Sequence, residues 1–221
     1  MPQLHVLRVF VTEDGGAGNP LGVFLAGSTV PEVMRQTVAA DLGFSETVFV
    51  DDPDRGVLRI FTPASELPFA GHPLVGTAWL LRESGLRVGT LHPPAGPVPT
   101  WVESGRTWIR GRPEWVPGMT LDQLASPAAI DALDGSTDGY FWAWQDESSG
   151  HVRSRFFAPS IGIPEDPATG SAAVCLAAEL GRPILIEQGA GSILHARPGR
   201  DGSAEVGGLV VLDGERDYRL P

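Results

Sequence analysis

The chain has 221 residues, of which 42% are hydrophobic, and it carries 27 acidic against 16 basic side chains. This composition is typical of a globular protein with one large or two small domains. A net charge of −11 disfavours nucleic acid as a partner, because binding to phosphate backbones depends on clustered cations. Every basic side chain is arginine, which excludes a lysine Schiff base and a Walker-type phosphate loop.

The location of the protein is predicted from what its sequence lacks. The first residues do not form a basic segment followed by an apolar one, and no window approaches the roughly 18 apolar residues of a membrane helix. We therefore expect a cytoplasmic protein with no membrane partner. The single cysteine, Cys175, lies in an apolar helical run, where we expect it to be a small buried hydrophobic side chain.

The predicted elements alternate between short strands and a few helices. Apolar periodicity and Gly/Pro punctuation predict strand, loop and strand over 4–25, a helix over 31–42, strands at 47–51 and 57–61, a buried helix over 74–81, strands and a connector within 91–119, strands at 140–144 and 152–157, a second apolar helix from 169 to about 181, and short strands thereafter. The glycines and prolines of the connector break any helix. Its tryptophans, Trp101, Trp108 and Trp115, are therefore expected in the core or between lobes.

An internal repeat organises the sequence. Arg59-Ile60-Phe61-Thr62-Pro63 followed by Pro68 recurs 96 residues later as Arg155-Phe156-Phe157-Ala158-Pro159 followed by Pro164. Each copy leads into a turn and an apolar helix, and a two-residue shift after the second proline places Gly76 opposite Gly170. We interpret this pattern as a duplicated half-domain whose two turns face each other across a cleft. The alternative is a chance similarity between two β-turn-α units.

A series of motifs, in a fixed order, resembles the phenazine-biosynthesis-like (PhzF-type) isomerase/epimerase family. The motifs are Gly18-Asn19-Pro20, Phe44-Ser45-Glu46-Thr47-Val48-Phe49, Phe61-Thr62-Pro63, Glu66-Leu67-Pro68-Phe69-Ala70-Gly71-His72, and Phe157-Ala158-Pro159 through Gly162-Ile163-Pro164-Glu165-Asp166-Pro167-Ala168-Thr169-Gly170-Ser171-Ala172. The resemblance implies an α+β, diaminopimelate-epimerase-like fold with two pseudo-symmetric lobes, each a curved, mostly antiparallel sheet around a central helix. We place the lobes at 1–110 and 111–221; the second is shortened, and its last strand is able to return to the first lobe.

The resemblance also implies the roles of four catalytic residues. Glu46 matches the proton-transfer glutamate, although a lone glutamate at the start of a strand is more often on the surface. His72 precedes a helix predicted to begin at Pro73, where helix N–H groups favour a substrate carboxylate. Asp166 and Ser171 flank the start of the second apolar helix and match substrate-contacting residues; taken alone, they are equally typical of helix caps. The substrate-binding residues implied are Asn19, Ser45, Gly71, Thr169 and Gly170.

The function implied is a proton shift or epimerisation on a small carboxylate, without cofactor or metal. The resemblance also leads us to expect a homodimer. The five histidines include no pair spaced for a helix-borne zinc site. A two-cysteine epimerase is a rival that the single Cys175 does not satisfy. A second rival is a non-catalytic protein that keeps the fold and binds a small ligand.

Overall fold

A computed structural model of the chain describes residues 1–116 and 118–221, so Pro117 of the predicted connector lies outside the described residues. The strands are β1 Gln3–Val11, β2 Asn19–Phe24, β3 Glu46–Asp52, β4 Val57–Phe61, β5 Glu66–Leu67, β6 Thr90–Leu91, β7 Val98–Glu103, β8 Arg106–Gly111, β9 Leu121–Gln123, β10 Gly139–Asp146, β11 His151–Ala158, β12 Ile163–Asp166, β13 Ile184–Gln188, β14 Ser192–Pro198 and β15 Ala204–Asp217. The helices are α1 Glu32–Leu42, α2 Gly71–Glu83, α3 Pro127–Asp131 and α4 Gly170–Leu180. The predicted α+β class is confirmed.

The strand pairing occurs twice in the same pattern. In the first half, β2 pairs in parallel with β3, which pairs antiparallel with β4, and β4 pairs antiparallel with β5. In the second half, β9, β10, β11 and β12 are paired in the same order and directions. The repeat in the sequence is therefore a repeat of topology.

A buried helix packs on each half of the sheet. Helix α2 contacts β1, β2, β3 and β8, and α4 contacts β14 and β15. Both helices are apolar on most faces, which is why protein surrounds them, and 10 residues of α2 are buried. Helix α4 ends at Leu180, close to the predicted end, and Gly181 caps it in the left-handed conformation with a φ of 63°.

The side chains correct the predicted alignment of the repeat. Arg59 pairs with Glu66 through two hydrogen bonds of 2.7 and 2.6 Å, and Arg155 pairs with Glu165 through two of 2.9 and 2.8 Å. These matching pairs lie seven and ten residues apart along the chain. The second copy thus contains three additional residues in this segment, where a single turn of 3-10 helix follows β11.

This alignment changes which glycines correspond. It places Gly71 opposite Gly170, since both begin a central helix. The predicted match of Gly76 with Gly170 is wrong, because the sequence comparison aligned Pro68 with Pro164 instead of Pro167.

Strand β15 connects the two halves of the sheet. Its first residues, 204–208, pair with β8, and 204–207 also pair with β14. Its later residues, 209–217, pair with β1. The division into lobes at 110 and 111 stays a prediction.

Cys175 and two of the connector tryptophans are less buried than the sequence predicts. Cys175 is only partly buried, so the prediction of a small buried hydrophobic side chain is wrong. Its face of α4 also carries Glu179, and partial burial still raises the pKa of the thiol to about 11. Trp108 is buried, whereas Trp101 and Trp115 are partly exposed. None of the described helices combines the length and the apolar character that a membrane crossing needs.

Candidate active site

The N-termini of α2 and α4 meet between the two halves of the molecule. A Cβ atom added to Gly71 would lie 2.5 Å from the carbonyl carbon of Gly170, and one added to Gly170 would lie 2.8 Å from the amide nitrogen of His72. Only glycine permits this approach without displacement of backbone. Because α2 begins at Gly71, His72 lies in its first turn. The prediction that the helix begins after His72, at Pro73, is wrong.

The meeting point has the electrostatic character of an anion site. Each helix N-terminus presents backbone N–H groups that the helix itself cannot satisfy, and its dipole favours negative charge. Neither Ala70 nor Thr169, the residues that cap these helices, supplies a side-chain hydrogen bond to them.

Glu46 and His72 face each other at the base of the cleft. Glu46 begins β3, and its Oε2 atom lies 3.4 Å from Nε2 of His72. The Glu46 side chain is 14% exposed and that of His72 is 3% exposed. Neither atom has a hydrogen-bond partner among the described residues.

Burial shifts the proton affinities of both groups. It raises the pKa of Glu46 well above 4.5, and the negative charge of Asp166 raises it further. Burial lowers the pKa of His72 from 6.5 to about 3, and a hydrogen bond with the backbone of Pro20 opposes this shift only in part. The pair therefore combines a neutral imidazole with a carboxyl group that binds a proton more tightly than a solvated carboxyl group does.

Asp166 anchors a buried network that joins the two halves of the chain. Asn19 Nδ2 donates to Asp166 Oδ1 at 2.7 Å and lies 3.4 Å from His72 Nδ1. The hydroxyl of Ser45 donates to the same Oδ1 at 3.3 Å, and that of Thr169 donates to Oδ2 at 2.5 Å. The first-half residues Asn19 and Ser45 thus fix a carboxylate from the second half.

The pKa of Asp166 reflects two opposing effects. Burial raises it from 3.8 to about 6, and the nearby charge of Glu165 adds to this rise. The hydrogen bonds from Thr169, Asn19 and Ser45 stabilise the ionised form and oppose the shift.

The alternative reading of Asp166 as a helix cap is not what the geometry shows. Its carboxylate accepts hydrogen bonds from the side chains of Asn19, Ser45 and Thr169 and none from the first backbone N–H groups of α4. Ser171 lies in the first turn of α4, at the position that corresponds to His72 in the first half, and it lines the same cavity as Glu46.

Gln188 is a structural support that the sequence reasoning did not single out. It is fully buried at the end of β13, and its Nε2 donates to the carbonyl of Asp166 at 2.9 Å and to Oγ1 of Thr169 at 2.8 Å. Its Oε1 accepts from the amide of Thr169 at 3.0 Å. A glutamine in a strand carries no local signal for this role, because its partners lie about 20 residues away in the sequence.

The predicted site residues line or support one cavity of about 840 Å³. Five of them line it directly: Ser45, Glu46, Asp166, Thr169 and Ser171. Asn19 and His72 lie behind them in the hydrogen-bonded layer, and Gly71 and Gly170 form the glycine contact. No cluster of three or more possible metal-binding side chains occurs within the described ranges.

Comparison with known families gives a match over most of the chain. The family model described as phenazine biosynthesis-like protein, PhzC-PhzF, matches residues 7–108 and 126–207. A trans-2,3-dihydro-3-hydroxyanthranilate isomerase from Pseudomonas fluorescens is 31% identical over 227 residues, which cover 78% of this chain and 77% of that protein.

Solved structures with low sequence identity share the fold. A phenazine biosynthesis PhzC/PhzF protein from Clostridium difficile superimposes with a TM-score of 0.79 at 19% identity, over 99% of this chain and 100% of the other. A hydroxyproline epimerase from Agrobacterium vitis has a TM-score of 0.63 at 13% identity, over 97% of this chain and 91% of the other. The solved structures confirm the predicted fold, and the family model together with the 31% identical isomerase confirms the predicted family.

Proposed function

Because the chain belongs to the family of phenazine biosynthesis-like proteins, we propose that it is a cofactor-independent isomerase that moves a proton on a small carboxylate. The observation that carries this proposal is the buried Glu46–His72 pair, 3.4 Å apart beside the cavity. A proton shuttle works best when its pKa lies near the working pH, because it must both accept and release a proton. Burial raises the pKa of Glu46 and so moves it in that direction.

Each part of the site has a role in the proposal. The substrate carboxylate binds at the N-termini of α2 and α4, where backbone N–H groups converge. Glu46 removes a proton from the carbon next to the carboxylate and returns it to another carbon of the substrate, and the double bond shifts with it, so that the product is an isomer. His72 stays neutral and forms a hydrogen bond with the substrate, as donor or as acceptor. Asp166 and Ser171 contact the substrate from the second half.

The glutamate is the group to test first. Incubation of wild-type protein in D2O with candidate cyclic and amino-acid carboxylates should incorporate deuterium at one substrate carbon. Glu46→Gln should slow this exchange about 100-fold or more, the usual contribution of a general acid–base group. Glu187→Gln is the matched control, since it neutralises a carboxylate that does not line the cavity.

The result also separates the proposal from its rival. Exchange that persists unchanged in Glu46→Gln would remove Glu46 from the shuttle role. Binding of a carboxylate in the cavity without any exchange in wild type would favour the non-catalytic ligand-binding protein. The cytoplasmic location and the homodimer stay predictions.

A further inference from the structure

The cavity wall beyond the acidic residues is apolar. Among its described lining residues are Leu67, Phe69, Trp115, Met119 and Phe156. The rings of Phe69 and Trp115 pack against each other with centroids 5.5 Å apart. Phe69 comes from the segment before α2 and Trp115 from the connector between the halves, so these two rings form a wall with contributions from distant parts of the chain.

The charges on the lining limit what can occupy the space. Glu46, Asp138 and Asp166 line the cavity, and no arginine or histidine is among its described lining residues. A ligand with a second carboxylate or a phosphate would meet negative charge without a cation to offset it. The helix N-termini provide for one anionic group, and the remaining volume suits uncharged groups.

The size of the cavity points in the same direction. Pockets of roughly 300–1,000 Å³ typically hold drug-sized ligands, and a volume of about 840 Å³ is near the upper end of that range. A carboxylate with a single small ring leaves much of this space unfilled.

We propose that the outer cavity binds an apolar, aryl-sized extension of a monocarboxylate substrate, and that Trp115 is a specificity-determining residue for it. This inference rests on the proposed function, because it takes the helix N-termini as the carboxylate anchor. The aromatic wall selects the extension, and the acidic lining rejects a second anion.

Three simple probes separate the anchor from the extension. Calorimetric titration with butanoate, 4-phenylbutanoate and glutarate measures the carboxylate alone, the carboxylate with an aryl group, and the carboxylate with a second charge. We expect 4-phenylbutanoate to bind about tenfold or more tightly than butanoate, and glutarate to bind no better than butanoate.

Two tryptophan variants test the residue. Trp115→Ala should reduce the phenyl preference to about threefold or less with the affinity for butanoate unchanged, and Trp115→Phe should restore part of it. Trp101→Ala is the matched control: Trp101 is also partly exposed and stacked on an aromatic ring, that of Trp108 at 6.3 Å, but it does not line the cavity. Equal binding of butanoate and 4-phenylbutanoate would overturn the subsite and leave the anchor standing. Failure of all three carboxylates to bind would overturn the subsite and the proposed function together.

A second inference rests on the duplicated arginine pairs. Arg155 forms a bidentate ion pair with Glu165, the residue before Asp166. Its guanidinium lies 4.6 Å from the ring centroid of Phe157. Arg155 also donates to the carbonyl of Leu133 at 2.8 Å. These contacts fix the strand segment that carries Asp166.

The first half contains the equivalent arginine–glutamate pair, but no aspartate follows it. Arg59 pairs with Glu66 in the same way and lies 5.4 Å from the ring centroid of Phe61. The residue after Glu66 is Leu67, which corresponds to Asp166. The chain therefore contains a natural control for the effect of the pair on the acid. We infer that Arg155 is a positioning residue that acts through Glu165 on the carboxylate of Asp166.

The negative charge of Glu165 acts on Asp166, and we expect the positive charge of Arg155 to offset it. The other titratable groups around it are Glu46 from β3, Tyr140 from β10 and, through Asn19, His72 from α2. Glu165 raises the pKa of Asp166, so Glu165→Gln should lower it. Loss of the cation in Arg155→Gln leaves the charge of Glu165 uncompensated and should raise it.

Titration of Asp166 by NMR on isotope-labelled aspartate measures both shifts without any need for activity. We expect changes of about half a pH unit or more, opposite in sign for Arg155→Gln and Glu165→Gln. Arg59→Gln should destabilise the protein about as much as Arg155→Gln does and leave the pKa of Asp166 unchanged. Unchanged titration in both second-half variants, or an equal shift in Arg59→Gln, would overturn the positioning role.

Discussion

The backbones of Gly71 and Gly170 are in contact where the two central helices begin. A side chain on Gly71 would place a Cβ atom 2.5 Å from the backbone of Gly170, a distance that backbone atoms cannot relieve by a simple rotation. This contact brings the free N–H groups of α2 and α4 to one place. The anion site therefore depends on two residues that have no side chains.

Gly71→Ala and Gly170→Ala should each destabilise the protein by roughly 1–3 kcal/mol, because overpacking at this contact must displace one helix. Denaturant unfolding monitored by circular dichroism measures the change. Gly89→Ala is the control, since a Cβ there meets no atom within 4 Å. Equal stability of all three variants would show that the helix N-termini are not held by this contact.

The stability of the protein should depend on pH through Glu46. Its pKa in the folded state is raised, so the folded protein binds the proton more tightly than the unfolded chain does. Stability from this group is complete below about 4.5 and is lost as the pH rises through the folded-state pKa. Glu46→Gln keeps the neutral form, so its free energy of unfolding should exceed that of wild type increasingly above pH 4.5. Parallel pH profiles for the two proteins would contradict this assignment.

His72 should make the stability depend on pH in the opposite direction, with loss as the pH falls. Its folded-state pKa is lowered to about 3, so the unfolded chain takes up a proton first as the pH falls below 6.5. Wild type should lose stability between these values by up to roughly 1.4 kcal/mol per pH unit, and His72→Gln should lose less. Acid titrations of unfolding for both proteins provide the comparison, and a steeper profile in the variant would count against a neutral buried imidazole.

Gln188→Leu should destabilise the protein by about 3 kcal/mol, because it leaves the amide of Thr169 and the carbonyl of Asp166 buried without their partner. Gln36→Leu removes a single side-chain hydrogen bond to the carbonyl of Thr62 and should cost about 1 kcal/mol. Thermal unfolding of the two variants makes the comparison. A loss of stability no larger than that of Gln36→Leu would show that Gln188 does not support the segment from Asp166 to Thr169.

Local patterns in the sequence predict most of the regular elements, because apolar periodicity and glycine or proline breaks are local properties. Helix α1, for example, occupies Glu32–Leu42 against a prediction of 31–42. The register of the internal repeat depends instead on the pairs Arg59–Glu66 and Arg155–Glu165, whose different spacing becomes visible once both pairs are formed. The partial exposure of Cys175 likewise depends on tertiary packing.

The site residues are identified by the family motifs, since the sequence around Glu46, taken alone, favours a surface position. The connections between them are tertiary. Asn19 meets Asp166 across 147 positions of the sequence, and no local pattern predicts that hydrogen bond. The pKa shifts follow from this burial, so they too require the folded structure.

Strand β15 has a consequence for how the protein unfolds. Because one continuous strand pairs with β8 and β14 at its start and with β1 towards its end, neither half can lose its sheet without breaking the ladder of the other. The two halves should therefore melt as one cooperative unit, with a single calorimetric transition whose van't Hoff and measured enthalpies agree. Native-state hydrogen exchange should likewise show similar protection at the two ends of this strand.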